Sequence, residues 1–193
     1  MQYTKVPNDT FENLQLNAGI LVDGFEMSNG VPTYTSIIGV TGGGVSHATN
    51  PEIKNWGEDM DNVPDNAMEL KRVKSYDPTL SGTFKSITAL LINKLIVAGA
   101  VDPDDATHYI PSHKLTTSDF HDIAWIGDYS DKNDGTTAGY LIVVLHNTLN
   151  TSGFQIKSND DGKGDFAFEF HAHYSIDSPD TPPFEYYIKK GTA

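Results

Sequence analysis

The sequence has no cysteine, and this absence removes several kinds of chemistry at once. It excludes disulfide bonds, thiolate metal sites and cysteine nucleophiles. The chain of 193 residues is nevertheless long enough to bury most of its surface in one domain, so it needs no cross-link in order to fold.

Positive charge is also scarce. The chain has 13 lysine and arginine residues against 26 aspartate and glutamate residues, a formal net charge of −13, and Arg72 is its single arginine. Proteins that read nucleic acids usually carry a basic patch and use arginine to contact phosphates and guanine. The composition therefore argues against adhesion to DNA and favours repulsion.

The third absence is a long hydrophobic run. The longest apolar stretch, ALLINKLIVAGAV at residues 89–101, is interrupted by Lys94, and it falls short of the roughly 20 residues that cross a bilayer as a helix. The polar stretch MQYTKVPNDTFENLQ at the N-terminus lacks the apolar centre of a secretion signal. We therefore expect a soluble protein that is made in the cytoplasm and has no membrane partner.

Strand signals dominate what is present. Several short segments are rich in β-branched and aromatic residues and are bounded by turn-forming residues, which is typical of strands. The predicted strands cover residues 19–27, 33–40, 72–86, 122–130, 139–148, 153–158, 166–176 and 184–190. The connections DKNDG at 131–135 and NDDGKG at 159–164 predict hairpin turns. This pattern predicts a single, mainly β domain with an antiparallel arrangement in its second half.

One segment has a helical period instead. In SITALLINKLIVAG at residues 86–99, the apolar residues Leu91, Leu95 and Ala98 follow a spacing of three and four. Ser86 can cap the start of this helix and Gly99 its end. We therefore predict one α-helix over residues 86–99, packed on the sheets.

Two segments show neither pattern. Residues 1–17 have few large apolar side chains, and we interpret them either as an arm that becomes ordered on a neighbouring molecule or as a frayed terminus. Residues 42–66 form a long, polar, glycine-rich connection, of a length that compact domains usually reserve for a function. A short hairpin at residues 45–53 is one possibility within this connection.

The long connection contains a tryptophan among carboxylates. We expect this side chain to pack against another surface rather than to remain in water. The candidate contact residues between subunits are Trp56, Glu58, Asp59, Asp61 and Asp65.

The strand DFAFEFHAHYSI at residues 165–176 places Glu169, His171 and His173 on one face, which raises the question of a metal site. Neighbouring positions on one face of a strand are about 6.5–7 Å apart, so a third ligand from another strand would be needed. The alternative is a strand with one apolar face and one polar face that meets water or a neighbour. We keep these three residues as weak metal candidates and predict no metal or other cofactor.

Other chemical signatures are missing. GEDMDN and NDDGKGD do not have the ligand spacing of a calcium loop. The glycines of GVTGGGVSHATN lack the lysine and the following helix of a phosphate-binding loop. No motif of a serine hydrolase occurs, so we predict no catalytic residues and no enzymatic activity.

These observations leave three classes of protein open. The first is a subunit that contacts copies of itself. The second is a secreted, calcium-assisted carbohydrate-binding β-sandwich whose aromatic side chains stack on sugars, and the third is an enzyme with a histidine-rich metal site.

Several motifs in order along the chain resemble the major tail protein, or tail tube protein, of tailed phages and prophages of Gram-positive bacteria. They include WGED at 56–59, SGTF at 81–84, WIGDY at 125–129 and GKGDF at 162–166. The resemblance covers about residues 19–190 and lies in the overall pattern, because none of these motifs is a catalytic signature.

The resemblance implies the tail-tube fold, a β-sandwich or near-barrel of antiparallel strands with one flanking α-helix. It implies hexameric rings that stack into a tube through which DNA is ejected into the host. Partners would be copies of the chain and other tail proteins, and the location would be the tail of the virion after synthesis in the host cytoplasm. In this family the N-terminal arm and the long early loop hold the rings together, which would assign that role to residues 1–17 and 42–66. A tube of a phage-derived injection device, such as a tailocin or a type VI secretion tube, is the alternative within this class.

The negative charge would then have a use. DNA passes through such a tube without specific binding, and an acidic wall repels its phosphates. We hypothesise that Asp and Glu outnumber Lys on the sheet face that lines the channel.

Overall fold

The computed structural model describes residues 6–64, 66–129, 138–158, 160 and 162–191. Within these residues the chain is mainly β, with one short helix, α1 at Ala89–Leu95. The first strands are β1 (Gln15–Asp23), β2 (Glu26–Ser28), β3 (Val31–Thr33), β4 (Ser36–Gly39), β5 (Thr41–Ala48), β6 (Pro51–Asn55), β7 (Lys71–Tyr76) and β8 (Thr79–Phe84). The others are β9 (Gly99–Val101), β10 (Tyr109–Pro111), β11 (His121–Tyr129), β12 (Tyr140–Asn150), β13 (Phe166–His171) and β14 (Phe184–Lys189). Single turns of 3-10 helix lie at Phe11–Asn13, Met68–Leu70 and Thr117–Asp119.

One large antiparallel sheet organises the molecule. Its strand order is β4-β1-β11-β12-β13-β8-β5, and β14 pairs with β12 outside this path. The two ends of the order, β4 and β5, are separated in sequence by Val40 alone, so the sheet folds over on itself into a sandwich-like arrangement. The prediction of a mainly β, antiparallel protein with one helix is confirmed for the described residues.

The main core fills the space between the two halves of this sheet. Strand alternation turns Phe166, Phe168 and Phe170 to the same side, where they are buried with side chains from the other half and from α1. Burying each such side chain contributes about 1.5–3 kcal/mol. The fully buried members of this cluster include Leu21, Ile38, Phe84, Leu91, Leu95 and Leu145.

A second, smaller cluster lies on the opposite face of β1, β11 and β12. Its buried members are Val22, Ala124, Ile142 and Val144, with Phe25, Met27 and Tyr187 packed against them. The β2–β3 hairpin is tied over this cluster because Tyr140 donates its hydroxyl hydrogen to the Gly30 carbonyl at 3.0 Å. Both faces of the central strands are therefore apolar.

The predicted helix is present but shorter than residues 86–99. It begins at Ala89 because Thr88 is the cap, with its Oγ1 accepting from the Leu91 amide at 3.1 Å. The predicted cap, Ser86, instead accepts from the Val40 amide at 3.2 Å. The helix ends at Leu95, whose carbonyl accepts from the side chain of Asn150 at 3.0 Å, and Gly99 already belongs to β9.

Residues 42–66 are not one continuous loop: residues 42–48 belong to β5 and residues 51–55 to β6. β5 pairs with β8 and β6 pairs with β7, so residues 41–55 and 71–84 form the two sides of one long, bent hairpin. The predicted hairpin at residues 45–53 is wrong, because the bend at Thr49 and Asn50 does not reverse the chain. Asp77, between β7 and β8 on the opposite side of the long hairpin, donates its amide hydrogen to the carbonyls of Thr49 and Asn50.

Other boundaries also differ from the predictions. Residues 153–158 form no strand and contribute only a single bridge, Lys157 to Asp165. β13 ends at His171, and Ile176 at the end of the predicted strand is 96% exposed. The predicted turn at 131–135 lies outside the described residues. No helix in the described part of the chain has the length and apolarity needed to span a membrane.

The predicted N-terminal arm overlaps the fold. Residues 15–17 belong to β1, where Gln15 and Leu16 pair with the end of β11. Ahead of them, Glu12 lies 3.6 Å from the Lys190 ammonium. Residues 1–5 lie outside the described part of the chain.

Candidate assembly surfaces

The far end of the long hairpin extends beyond the large sheet. We call residues 51–76, which comprise β6, β7 and their connection, the distal hairpin. Its strands form a separate two-stranded sheet. A two-stranded ribbon is marginally stable in water unless something packs on it. Its exposed large apolar side chains are Ile53, Trp56, Met60, Met68 and Val73.

Short-range contacts order the tip of the distal hairpin. The Trp56 amide donates to the Leu70 carbonyl at 3.0 Å and closes the connection. The Lys54 ammonium lies 4.4 Å from the centre of the Trp56 ring, a cation–π contact. The indole is nevertheless 58% exposed, and Met68 is 79% exposed.

The structure brings the predicted contact residues to this tip. Glu58, Asp59 and Asp61 follow Trp56 directly and are all exposed. Asp65 lies outside the described residues. The tip therefore combines apolar side chains with carboxylates, and such a mixture suits an interface with a polar rim.

β5, β8 and β13 turn one side away from the main core. We call this side the polar face. Opposite the buried phenylalanines, β13 presents Glu169 and His171. Register pairs Glu169 with Ser81 and Ser81 with Ser46, and pairs His171 with Thr79 and Thr79 with Ala48. Small and hydroxyl-bearing side chains therefore form a smooth surface across these strands.

The three metal candidates do not converge. His171 Nδ1 lies 2.8 Å from Asp77 Oδ1, and its Nε2 lies 3.5 Å from Glu169 Oε1. His173 turns elsewhere: its Nδ1 lies 3.0 Å from the Asn147 carbonyl. In the described part of the chain, no three His, Asp or Glu residues are grouped so that they could hold a metal ion. Glu169 and His171 instead meet solvent and each other on the polar face.

Three strands of the large sheet, β4, β5 and β14, have an edge without a partner among the described strands. β4 pairs only with β1. β14 pairs only with β12, and β5 pairs only with β8. Tyr186 and Ile188 of β14 are exposed. Open edges of this kind pair readily with another chain.

A charged cluster that the sequence did not predict surrounds one face of β14. His146 on β12 lies with Nδ1 3.0 Å from Asp122 Oδ2 and with Nε2 3.6 Å from Glu185 Oε1. The hydrogen bond to Asp122 raises the pKa of His146, and the same bond lowers the pKa of Asp122. The three residues are on three different strands, so only the register brings them together.

Tyr186, on the other face of β14, lines a partly open, mainly apolar cavity of about 340 Å³ between the two halves of the sheet. His47 lines the same cavity, and its Nε2 lies 2.6 Å from the Tyr186 hydroxyl oxygen. His47 Nδ1 lies 2.8 Å from the Thr79 carbonyl. Burial lowers the pKa of His47. The cavity walls include Val45, Leu80, Trp125, Leu141 and Val143.

The sequence matches no protein-family model and no curated protein.

Proposed function

We propose that this protein is a structural subunit that assembles with copies of itself into rings, and that the rings stack into a tube. The observation that carries this proposal is the distal hairpin, a separate two-stranded ribbon that exposes several large apolar side chains. Burial of Trp56 and Met68 on a neighbouring subunit would remove this apolar surface from water.

The open strand edges also support assembly into rings. Within a ring, β14 of one subunit and β5 of the next offer unpaired backbone groups that strand addition would satisfy. Main-chain pairing of this type joins the sheets of identical neighbours.

The polar face is the surface best suited to line a channel. It carries Glu169, and at its margins lie Asp77 and Asp165. Lys85 pairs with Asp165, and Lys157 lies opposite Asp165. The three carboxylates outnumber these two lysines, as the repulsion of DNA phosphates would require. The outward face of β1, β11 and β12 is less suitable because the β2–β3 hairpin covers it.

The resemblance noted in the sequence supplies the specific form of the proposal. It points to hexameric rings in the tail tube of a phage, with DNA passing through the bore and other tail proteins at its ends. A tube of a phage-derived injection device uses the same surfaces and remains the alternative within this class.

Negative-stain electron microscopy of the concentrated protein tests the proposal, and the expected images show rings or hollow filaments. The double variant Trp56→Ser and Met68→Ser should remain folded and lose the filaments, because it removes the apolar tip. Ile176→Ser is the matched control: this side chain is 96% exposed but lies outside the distal hairpin, so filaments should persist. Monomers at every concentration in the unchanged protein would contradict the proposal.

Exposure of Trp56 also fits the carbohydrate-binding alternative, because an indole face can stack on a sugar ring. The Lys54 ammonium over that ring occupies one of its two faces. Retention of a monomeric protein on a polysaccharide column, lost in Trp56→Ser, would favour the carbohydrate-binding function.

A further inference from the structure

In addition to its backbone pairing with β12, β14 is contacted by a histidine on each of its faces. Tyr186 points to the cavity side and meets His47 of β5. Glu185 points to the opposite side and meets His146 of β12. The surroundings of His47 are mainly apolar, whereas two carboxylates flank His146. Protonation of each ring should therefore affect the attachment of β14 differently.

On the cavity side, the surroundings favour a neutral ring. The Thr79 carbonyl can only accept, so Nδ1 of His47 carries the hydrogen and Nε2 accepts from the Tyr186 hydroxyl. Tyr186 is the titratable group that faces this ring, and the cavity walls described above include no carboxylate. A protonated His47 would place a cation beside an apolar cavity, where it is costly without hydration, so protonation should weaken the contact with β14.

On the opposite side, the surroundings favour a protonated ring. Asp122 of β11 and Glu185 of β14 flank His146, and Glu26 of β2 lines the same cavity. Further titratable groups nearby are Tyr187, whose hydroxyl donates to Glu185, and on the far side His173 and Tyr174. A charged His146 bridges the carboxylates of β11 and β14, whereas a neutral ring leaves these like charges facing each other.

We propose that β14 is fastened by a two-histidine latch with opposed proton requirements, so that its attachment is strongest in a limited pH window near 6.5 and loosens on both sides. His47 must be neutral and His146 must be charged for the latch to be closed. This device does not depend on the assembly proposed above, because both histidines lie within one chain.

The two pKa shifts determine in which direction of pH each histidine loses its stabilising contribution. The pKa of His146 is raised by Asp122, so its contribution is fully present below the unfolded value of about 6.5 and is lost as the pH rises through the folded pKa. The pKa of His47 is lowered by burial, so its contribution is present above about 6.5 and is lost as the pH falls toward the folded pKa. The two losses bound the window from opposite sides.

Hydrogen exchange measured by mass spectrometry from pH 5 to pH 8.5, corrected for intrinsic exchange, tests the latch. The readout is the protection of a peptide covering β14 relative to one within β11, which removes changes in global stability. We expect this ratio to be highest near pH 6.5 and to fall about two- to fivefold on each side, a range typical of one partly exposed ion pair or one hydrogen bond. A ratio that is flat, or that changes in one direction only, would overturn the proposal.

Variants separate the two halves of the latch. His146→Gln should abolish the fall above pH 6.5 and leave the fall below it, and His47→Gln should do the reverse. His108→Gln is the matched control, because His108 pairs with Asp102 at the same 3.0 Å in the β9–β10 hairpin, away from β14; its profile should equal that of the unchanged protein. If a variant does not fold, NMR titration of the unchanged protein is the second test. The pKa of His146 should be higher than the pKa of His47. The reverse order would contradict the proposal.

Discussion

The ammonium group of Lys94 lies 2.9 Å from the carboxylate of Asp23, and the lysine side chain is 4% exposed. This pair joins α1 to the end of β1. It explains how a lysine can interrupt the longest apolar stretch of the chain and still lie on the buried side of the helix. The Asp23 side chain is 28% exposed and can contact water. The buried Lys94 therefore needs its partner's charge more than Asp23 does.

Asp23→Asn should therefore destabilise the protein more than Lys94→Met. The first change leaves a buried ammonium without a countercharge and should lower the free energy of unfolding by about 3–5 kcal/mol. The second leaves a carboxylate that water can reach and replaces the lysine stem by an apolar side chain of similar length. Urea denaturation of both variants and of the double variant gives the coupling energy. Equal losses in the two single variants would refute this asymmetry.

Asn150 connects three parts of the fold. Its Nδ2 donates to the carbonyls of Leu95 and Gly153, and its Oδ1 accepts from the Glu169 amide. Asn150→Ala should lower the free energy of unfolding by about 2–4 kcal/mol, because it leaves one buried and two partly buried backbone groups without this partner. Gln155→Ala, which loses one exposed hydrogen bond to Ser152, is the control and should change the free energy of unfolding little. A small loss for Asn150→Ala in chemical denaturation would show that water satisfies these groups.

Gly19 has a backbone that other residues adopt with strain. Its φ is +70°, and a Cβ there would lie 2.5 Å from Nε1 of Trp125 and 2.6 Å from the Ile126 carbonyl oxygen. Gly19→Ala should destabilise by about 1–3 kcal/mol. Gly30→Ala, at φ +75° but with nothing nearby, isolates the backbone contribution, and a thermal scan of both compares them. Equal melting temperatures would mean that the indole moves without loss.

Removal of residues 1–14 tests the proposed role of the N-terminal arm. The boundary differs from the predicted one because residues 15–17 belong to β1 and pair with β11. The shortened protein should stay folded by circular dichroism and lose the stacking of rings seen by electron microscopy. Removal of residues 1–17 should in addition lower the melting temperature. Filaments formed by the protein that lacks residues 1–14 would show that stacking does not need the arm.

The alternation of β13 could be predicted because it is local. The burial of Phe166, Phe168 and Phe170 and the polarity of Glu169 and His171 follow from the two-residue period of a strand. The helix was predictable because its apolar spacing is also local, but its ends were not. Ser86 and Thr88 can both cap a helix. The Ser86 hydroxyl accepts from the Val40 amide of a distant segment, and the Thr88 hydroxyl accepts from the Leu91 amide and caps α1. The glycines and polar residues at 42–48 concealed β5, because its strand conformation comes from pairing with β8.

The chemical character of the protein follows from its amino acids: the negative charge, the lack of thiols, the apolar and polar faces of the strands and the helical segment near residue 91. The meeting of distant residues follows from the fold, as for His146 with Asp122 and Glu185, His47 with Tyr186, and Lys94 with Asp23. The physical reason is that a side chain's face on a strand is set by covalent geometry within a few residues. Strand partners and register are set by packing between segments far apart in the chain.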